Sequence, residues 1–256
     1  MDLAAIKAQQ SLTPGNSRHR GWVRASHWMV AIGFFLLAYS GAEILMVHPR
    51  LYWGEAGNDL TPALFELPIS RNYQHAGWEK STPFYKMAGA PVSASRTYEI
   101  FNQNGWGRSL HFLAAWVLVV TGLLYLLAGI FTGHFKLRLW PRANEFNMRL
   151  LLADFASHFR KLPAAANGQT YALLQKYTYM TVIFFLLPLT AMTGLTMSPA
   201  ITAAYPFLLK MFAGAQSART IHFFAALALV LFLVVHVTMV VRSGFKQQMR
   251  AITFGK

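Results

Sequence analysis

The chain has 256 residues, 55% of them hydrophobic and only 12% charged, with 20 Phe, a mean hydropathy of +0.34 and a formal net charge of +14. That is the composition of an integral membrane protein. The absence of cysteine excludes disulfides, thiolate-held clusters and any cofactor linked through cysteine, so a metal here needs other ligands.

Residues 1–22 (MDLAAIKAQQSLTPGNSRHRGW) are polar and lack the apolar core and small-residue cleavage site of a secretory signal, so the first apolar span is expected to stay in the membrane. Four runs are long enough to cross a hydrocarbon core, for which about 20 apolar residues suffice: 26–46, 109–131, 177–198 and 219–241. Pro188 interrupts the third, which a bundle tolerates because neighbouring groups re-satisfy the freed backbone. The outer connection, about 47–108, is rich in Trp, Tyr, Pro and Gly. It reads either as an interfacial aromatic belt or as a folded cap on which a partner docks. Between the second and third spans, Met148, Leu151, Leu152, Phe155, Phe159 and Leu162 recur at helical spacing, which predicts an amphipathic helix on the inner surface. With no sequence repeat and no separate soluble segment, residues 1–256 read as one all-α domain, a membrane four-helix bundle.

The positive charge could suggest nucleic acid, but its distribution points to the bilayer. Fifteen Lys and Arg lie in the N-terminal tail, the segment from Gly133 to Lys176 and the C-terminal tail, against eight in 47–108 and 199–219, where the longer loop also carries five acidic residues. Positively charged loops stay inside, so both termini are expected in the cytoplasm.

Nine histidines occur, and four fall within the spans: His27, His111, His222 and His236. Polar side chains in hydrocarbon mark functional sites by default. His222 and His236 are 14 residues apart, which is roughly 21 Å along one helix with about 40° between their directions. With alternating span directions, His27 and His236 share the inner level and His111 and His222 the outer one. Two histidine pairs at two depths, each drawn from two helices, is the arrangement that bis-histidine ligation of two stacked haems requires. With both axial positions filled, such iron relays electrons rather than binding substrate.

Arg24, Arg108 and Arg219 each stand three residues before a span histidine, and Arg242 stands six after His236. Guanidinium forks at these levels suit haem propionates, while ordinary interfacial anchoring is the plainer alternative. Gly41 and Gly122 fall on the histidine faces and predict close approach of a flat macrocycle, or plain helix–helix contact. His19, His48, His75, His134 and His158 lie in tails, loops or interfaces and are not expected as ligands. Glu43, near the outer end of the first span, reads as an interfacial carboxylate, with a proton carrier for quinone chemistry as the alternative.

RASHWMVAIGFFLLAYSG resembles the first helix, and ARTIHFFAALALVLFLVVHVTMVVRSGFKQQM the last, of the di-haem cytochrome b subunits of respiratory formate dehydrogenases, nickel–iron hydrogenases and thiosulfate reductases. The resemblance implies that His27 and His236 bind a cytoplasmic-side haem b and His111 and His222 a periplasmic-side one. It also implies a bacterial inner-membrane subunit exchanging electrons between the quinone/quinol pool and a periplasmic redox catalytic subunit. The long outer loop is closest to thiosulfate-reductase-type members, which sit beside a molybdopterin oxidoreductase. A proton or metal-ion transporter using the histidines as a relay is the competing reading, and a haem-free anchor a third that leaves the histidines unexplained.

Overall fold

The computed structural model describes residues 21–57, 61–69, 104–136, 140 and 173–255. Helix α1 (Gly21–Val47) leads into a short antiparallel pair, β1 (Arg50–Leu51) and β2 (Phe65–Glu66), and then α2 (Asn104–Phe131) follows. Helix α3 (Leu173–Thr181) runs through a π-helical turn (Val182–Leu186) into α4 (Leu187–Thr196). Short helices α5 (Pro199–Ala204) and α6 (Phe207–Met211) precede the long α7 (Ala215–Arg242) and a final α8 (Phe245–Phe254). The expected inner amphipathic helix, 148–162, lies outside the described residues, as do 70–103 of the outer loop.

Four helical stretches are long and apolar enough to cross a membrane: Gly21–Val47, Trp106–Phe131, Leu174–Thr196 and Ala215–Arg242. Each helix begins about one turn before its expected span, because a polar approach such as GWVRAS remains helical while the apolar run marks only the hydrocarbon. Their outer faces carry bare apolar side chains, among them Phe35, Leu113, Leu124, Phe131 and Leu231. Many of the most buried helix positions are small or hydroxylated: Ser40, Thr193, Thr196, Ser217, Ala218 and Thr220. That inversion of a soluble protein suits lipid, where close backbone approach and hydrogen bonds hold helices together.

Among the described residues, the close helix–helix seams join α1 to α2 and α4 to α7. Neither α1 nor α2 forms a comparable seam with α7. The bundle is therefore two helix pairs with a slot between them. At Gly33 in the first seam, a Cβ would come 3.8 Å from the Ala114 carbonyl, so the helices meet backbone to backbone. Pro188 falls at the start of α4, directly after the π turn, in which the Leu187 N–H donates to the Val182 carbonyl five residues back. The wider turn absorbs the missing proline N–H and makes room for its ring.

The described part of the outer loop is a folded cap laced to the first turns of α7. The Gly54 carbonyl accepts from the Gln216 and Ser217 N–H groups at 3.0 and 3.2 Å, and the Gly54 N–H donates to Ser217 Oγ at 2.6 Å. Thr220 Oγ1 donates to the Tyr52 carbonyl at 2.7 Å, and the Arg219 guanidinium donates to the His48 carbonyl. These bonds satisfy N–H groups that a helix start leaves without intrahelical partners. Phe65 of β2 meets Phe224 of α7 edge to face at 5.4 Å.

Gly214, with φ of 111°, opens α7 in a backbone region closed to side chains, and a Cβ there would collide with the Gly54 backbone. Gly214→Ala should therefore destabilise the cap by about 1–3 kcal/mol. The expected result is a lower apparent melting temperature in detergent and faster protease cleavage within 48–69; an unchanged cleavage rate would disprove the coupling.

Candidate functional site

Histidines from three helices meet across the slot. His27 of α1 and His236 of α7 have ring centroids 6.4 Å apart at 49° between planes. His111 of α2 and His222 of α7 have centroids 6.2 Å apart at 62°. Because α7 is unbroken from Ala215 to Arg242, the two pairs are separated by roughly 21 Å along its axis.

The inner pair is walled by aromatics. Phe232 stacks on His236 at 5.7 Å and 27°, Tyr179 of α3 lies 6.5 Å from the same ring, and Trp28 meets His27 edge-on at 5.5 Å. The outer pair is hydrogen-bonded from helices on either side. His111 Nδ1 lies 3.0 Å from Ser40 Oγ of α1. His222 Nδ1 lies 3.1 Å from Thr193 Oγ1 and 3.0 Å from the Thr190 carbonyl of α4. A carbonyl only accepts, so His222 carries its proton on Nδ1 and keeps its lone pair on Nε2, the state of a neutral metal ligand.

These distances test whether haem iron fits. A metal–imidazole bond of about 2.0–2.1 Å and a ring centre about 1.1 Å behind its nitrogen, from ring bonds of about 1.33 Å, place the centroids of two axial imidazoles about 6.3 Å apart. Both observed separations agree. The ring separations of the two pairs thus fit bis-histidine haem at each level.

Of the four candidate arginines, Arg219 reaches the His48 carbonyl of the cap. Arg24 lies with its guanidinium against Gly255, where a Cβ would overlap it, at the end of α8. Arg108 and Arg242 are exposed. Gly41 and Gly122 behave differently from each other. A Cβ at Gly41 would lie in ordinary contact with the imidazole, 3.6 Å from His111 Cε1, whereas a Cβ at Gly122 would meet open space.

Glu43 faces neither water nor lipid. It is fully buried in the α1–α2 seam, where Gly107 lets the helices close over it with only 3.3 Å left for a Cβ, and Tyr39 hydrogen-bonds to it. His134 lies in an aromatic cluster with Trp22, Tyr125 and Phe135, and His48 ends α1, its N–H donating to Ile44. His19, His75 and His158 lie outside the described residues. Reading the sequence missed Ser40, Thr193 and Tyr179. The signal for the first two was available, since each hydroxyl directly precedes a glycine inside an apolar span.

Comparison with known proteins bears on this geometry. The family described as prokaryotic cytochrome b561 matches residues 18–255, a stretch containing all four paired histidines and all four apolar helices. The protein designated protein-methionine-sulfoxide reductase subunit YedZ1 of Azospira oryzae is 27% identical over 222 residues, covering 87% of this chain and 89% of that protein. No solved structure matches the chain. The chain therefore belongs to the prokaryotic cytochrome b561 family, as a multi-pass bacterial membrane cytochrome b that binds haem b and serves electron transport.

Proposed function

We propose that this chain carries electrons across the bacterial inner membrane between the quinone pool and a periplasmic oxidoreductase subunit, through two haem b groups. The observation that carries this reading is the pair of imidazole separations, 6.4 and 6.2 Å, at the two ends of one helix. Haem b, when bound, supplies a one-electron iron couple. His27 and His236 would hold the inner group, and His111 and His222 the outer one. With two histidines holding each group, the iron would have no site for substrate, and substrate chemistry would fall to the partner. The levels, roughly 21 Å apart, bridge most of a hydrocarbon core about 30 Å thick.

Charge asymmetry supports a cytoplasmic position for the His27–His236 pair, and the sequence resemblance supports quinone exchange on that side. Arg24, Arg108, Arg219 and Arg242 supply guanidinium donors near the water-side edges of the pairs. Arg219 uses one of its five donors on the cap and retains the others. On the outer side, the cap presents Trp53, Leu64 and Phe65 at 59, 52 and 45% exposure, close in the fold to the start of α7 and its His222. This exposed apolar patch is the docking surface for the partner. The sequence resemblance favours a thiosulfate-reductase-type partner and the designation of the Azospira protein favours a methionine-sulfoxide reductase. Both are reductases of sulfur compounds, and turnover with each substrate in the assembled complex separates them.

A reduced-minus-oxidised spectrum of the purified protein should show b-type bands. His27→Ala and His236→Ala should each lose the same haem, and His111→Ala and His222→Ala the other, with the haem-to-protein ratio falling by roughly half in every case. Redox titration sorts the four variants into these two classes; grouping His27 with His222 would overturn the assignment.

Trp53→Asp and Leu64→Asp should leave both haems bound but weaken partner association at least about tenfold, the cost of losing a well-packed apolar anchor. Unaltered copurification and turnover would show that the cap only covers the helix ends.

A further inference from the structure

Two helices each offer an outer histidine a hydroxyl-bearing residue followed by glycine. Ser40-Gly41 of α1 faces His111, and Thr193-Gly194 of α4 faces His222. In each case the hydroxyl lies at the imidazole Nδ1 while the glycine stands beside Cε1, where a Cβ would come 3.6 Å from His111 and 3.4 Å from His222. Ser40 and Thr193 have no solvent exposure, so neither hydroxyl can turn to water.

The direction of each hydrogen bond follows from counting hydrogens. A hydroxyl has one. Ser40 Oγ lies 2.7 Å from the Leu36 carbonyl and Thr193 Oγ1 lies 2.7 Å from the Leu189 carbonyl, and those carbonyls can only accept. With its hydrogen so used, each oxygen faces Nδ1 through a lone pair and receives the imidazole N–H. His111 thus has the same tautomer as His222, with Nε2 left as the lone-pair nitrogen. An acceptor at Nδ1–H pushes electron density towards Nε2 and makes it a stronger donor.

We propose that Ser40 and Thr193 are positioning residues that hold His111 and His222 in the Nε2-ligating tautomer and lower the reduction potential of the outer haem, an inference that rests on the haem assignment above. A more basic ligand favours the ferric over the ferrous state, and here both ligands of one iron are made more basic from opposite sides.

The test replaces the hydroxyls and reads the haems one by one, by potentiometric titration and by electron paramagnetic resonance of the low-spin ferric form. Ser40→Ala and Thr193→Val should raise the potential of one haem, with a several-fold rise in its reduced-to-oxidised ratio at fixed ambient potential, where tenfold corresponds to 59 mV for one electron. The resonance of that haem should move and that of the other should not. Ser40→Thr and Thr193→Ser should restore both readouts. Both variants keep a backbone acceptor for the ring N–H, the Leu37 carbonyl at His111 and the Thr190 carbonyl, 3.0 Å away, at His222. If Ser40→Ala loses haem, Thr193→Val decides. Unmoved potentials in fully loaded variants, or shifts that the hydroxyl-bearing replacements fail to reverse, would overturn the proposal. Failure of the haem assignment looks different: the unmodified protein would lack b-type bands, or His111→Ala and His222→Ala would keep both haems.

Discussion

An imidazole in hydrocarbon has two nitrogens to satisfy where there is no water, and leaving either without a partner costs free energy of the order of a lost hydrogen bond or more. Helix α7 carries two such rings 14 residues apart, and the architecture answers to them. At the outer level, Ser40, Thr193 and the Thr190 carbonyl engage Nδ1 of each ring. Nε2 is thereby left as the lone-pair nitrogen of each ring. The ring separation, 6.2 Å, is too wide for a hydrogen bond between the imidazoles and fits one metal between them.

Helix packing follows from the same demand. If α1 and α2 sealed against α7 with interlocking side chains, no flat group could lie between the rings. Instead the tight seams fall within each pair, at Gly33 against Ala114 and along α4 with α7. Small residues make those seams close enough to hold in lipid, where apolar faces have no aversion to their surroundings. The π turn ahead of Pro188 belongs to this arrangement, since it lets α3 and α4 continue as one path while α4 presents Thr190 and Thr193 to His222.

The cap makes the outer end of the molecule unlike the inner one. Its backbone replaces the missing intrahelical partners at the start of α7 through Gly54, so the segment that covers the outer histidines is anchored to the helix that bears one of them. Arg219 joins both, one turn from His222 and bonded to the His48 carbonyl. A partner seated on Trp53 and Leu64 would thus rest on a surface rigidly tied to the outer site.

Four apolar runs, a one-sided distribution of Lys and Arg, and four span histidines follow from composition and spacing, because lipid imposes a length and a polarity on any helix that crosses it. The pairing of His27 with His236 and His111 with His222 follows too, since alternating span directions leave few options. Tertiary structure was needed for whatever depends on the distance between helices. Glu43 reads as interfacial from its place near a span end, and is buried because Gly107 on another helix lets the seam close over it. Gly41 reads as room for a macrocycle and lies beside the His111 ring. Arg219 reads as a cation at a membrane surface and reaches a carbonyl 171 residues away in the chain. The hydroxyls of Ser40 and Thr193 are marked in the sequence only by the glycine that follows each, since a lone Ser or Thr in a span ordinarily bonds back to its own helix. Both do so here, and only their nearness to a ring on a neighbouring helix turns the remaining lone pair into an acceptor for histidine.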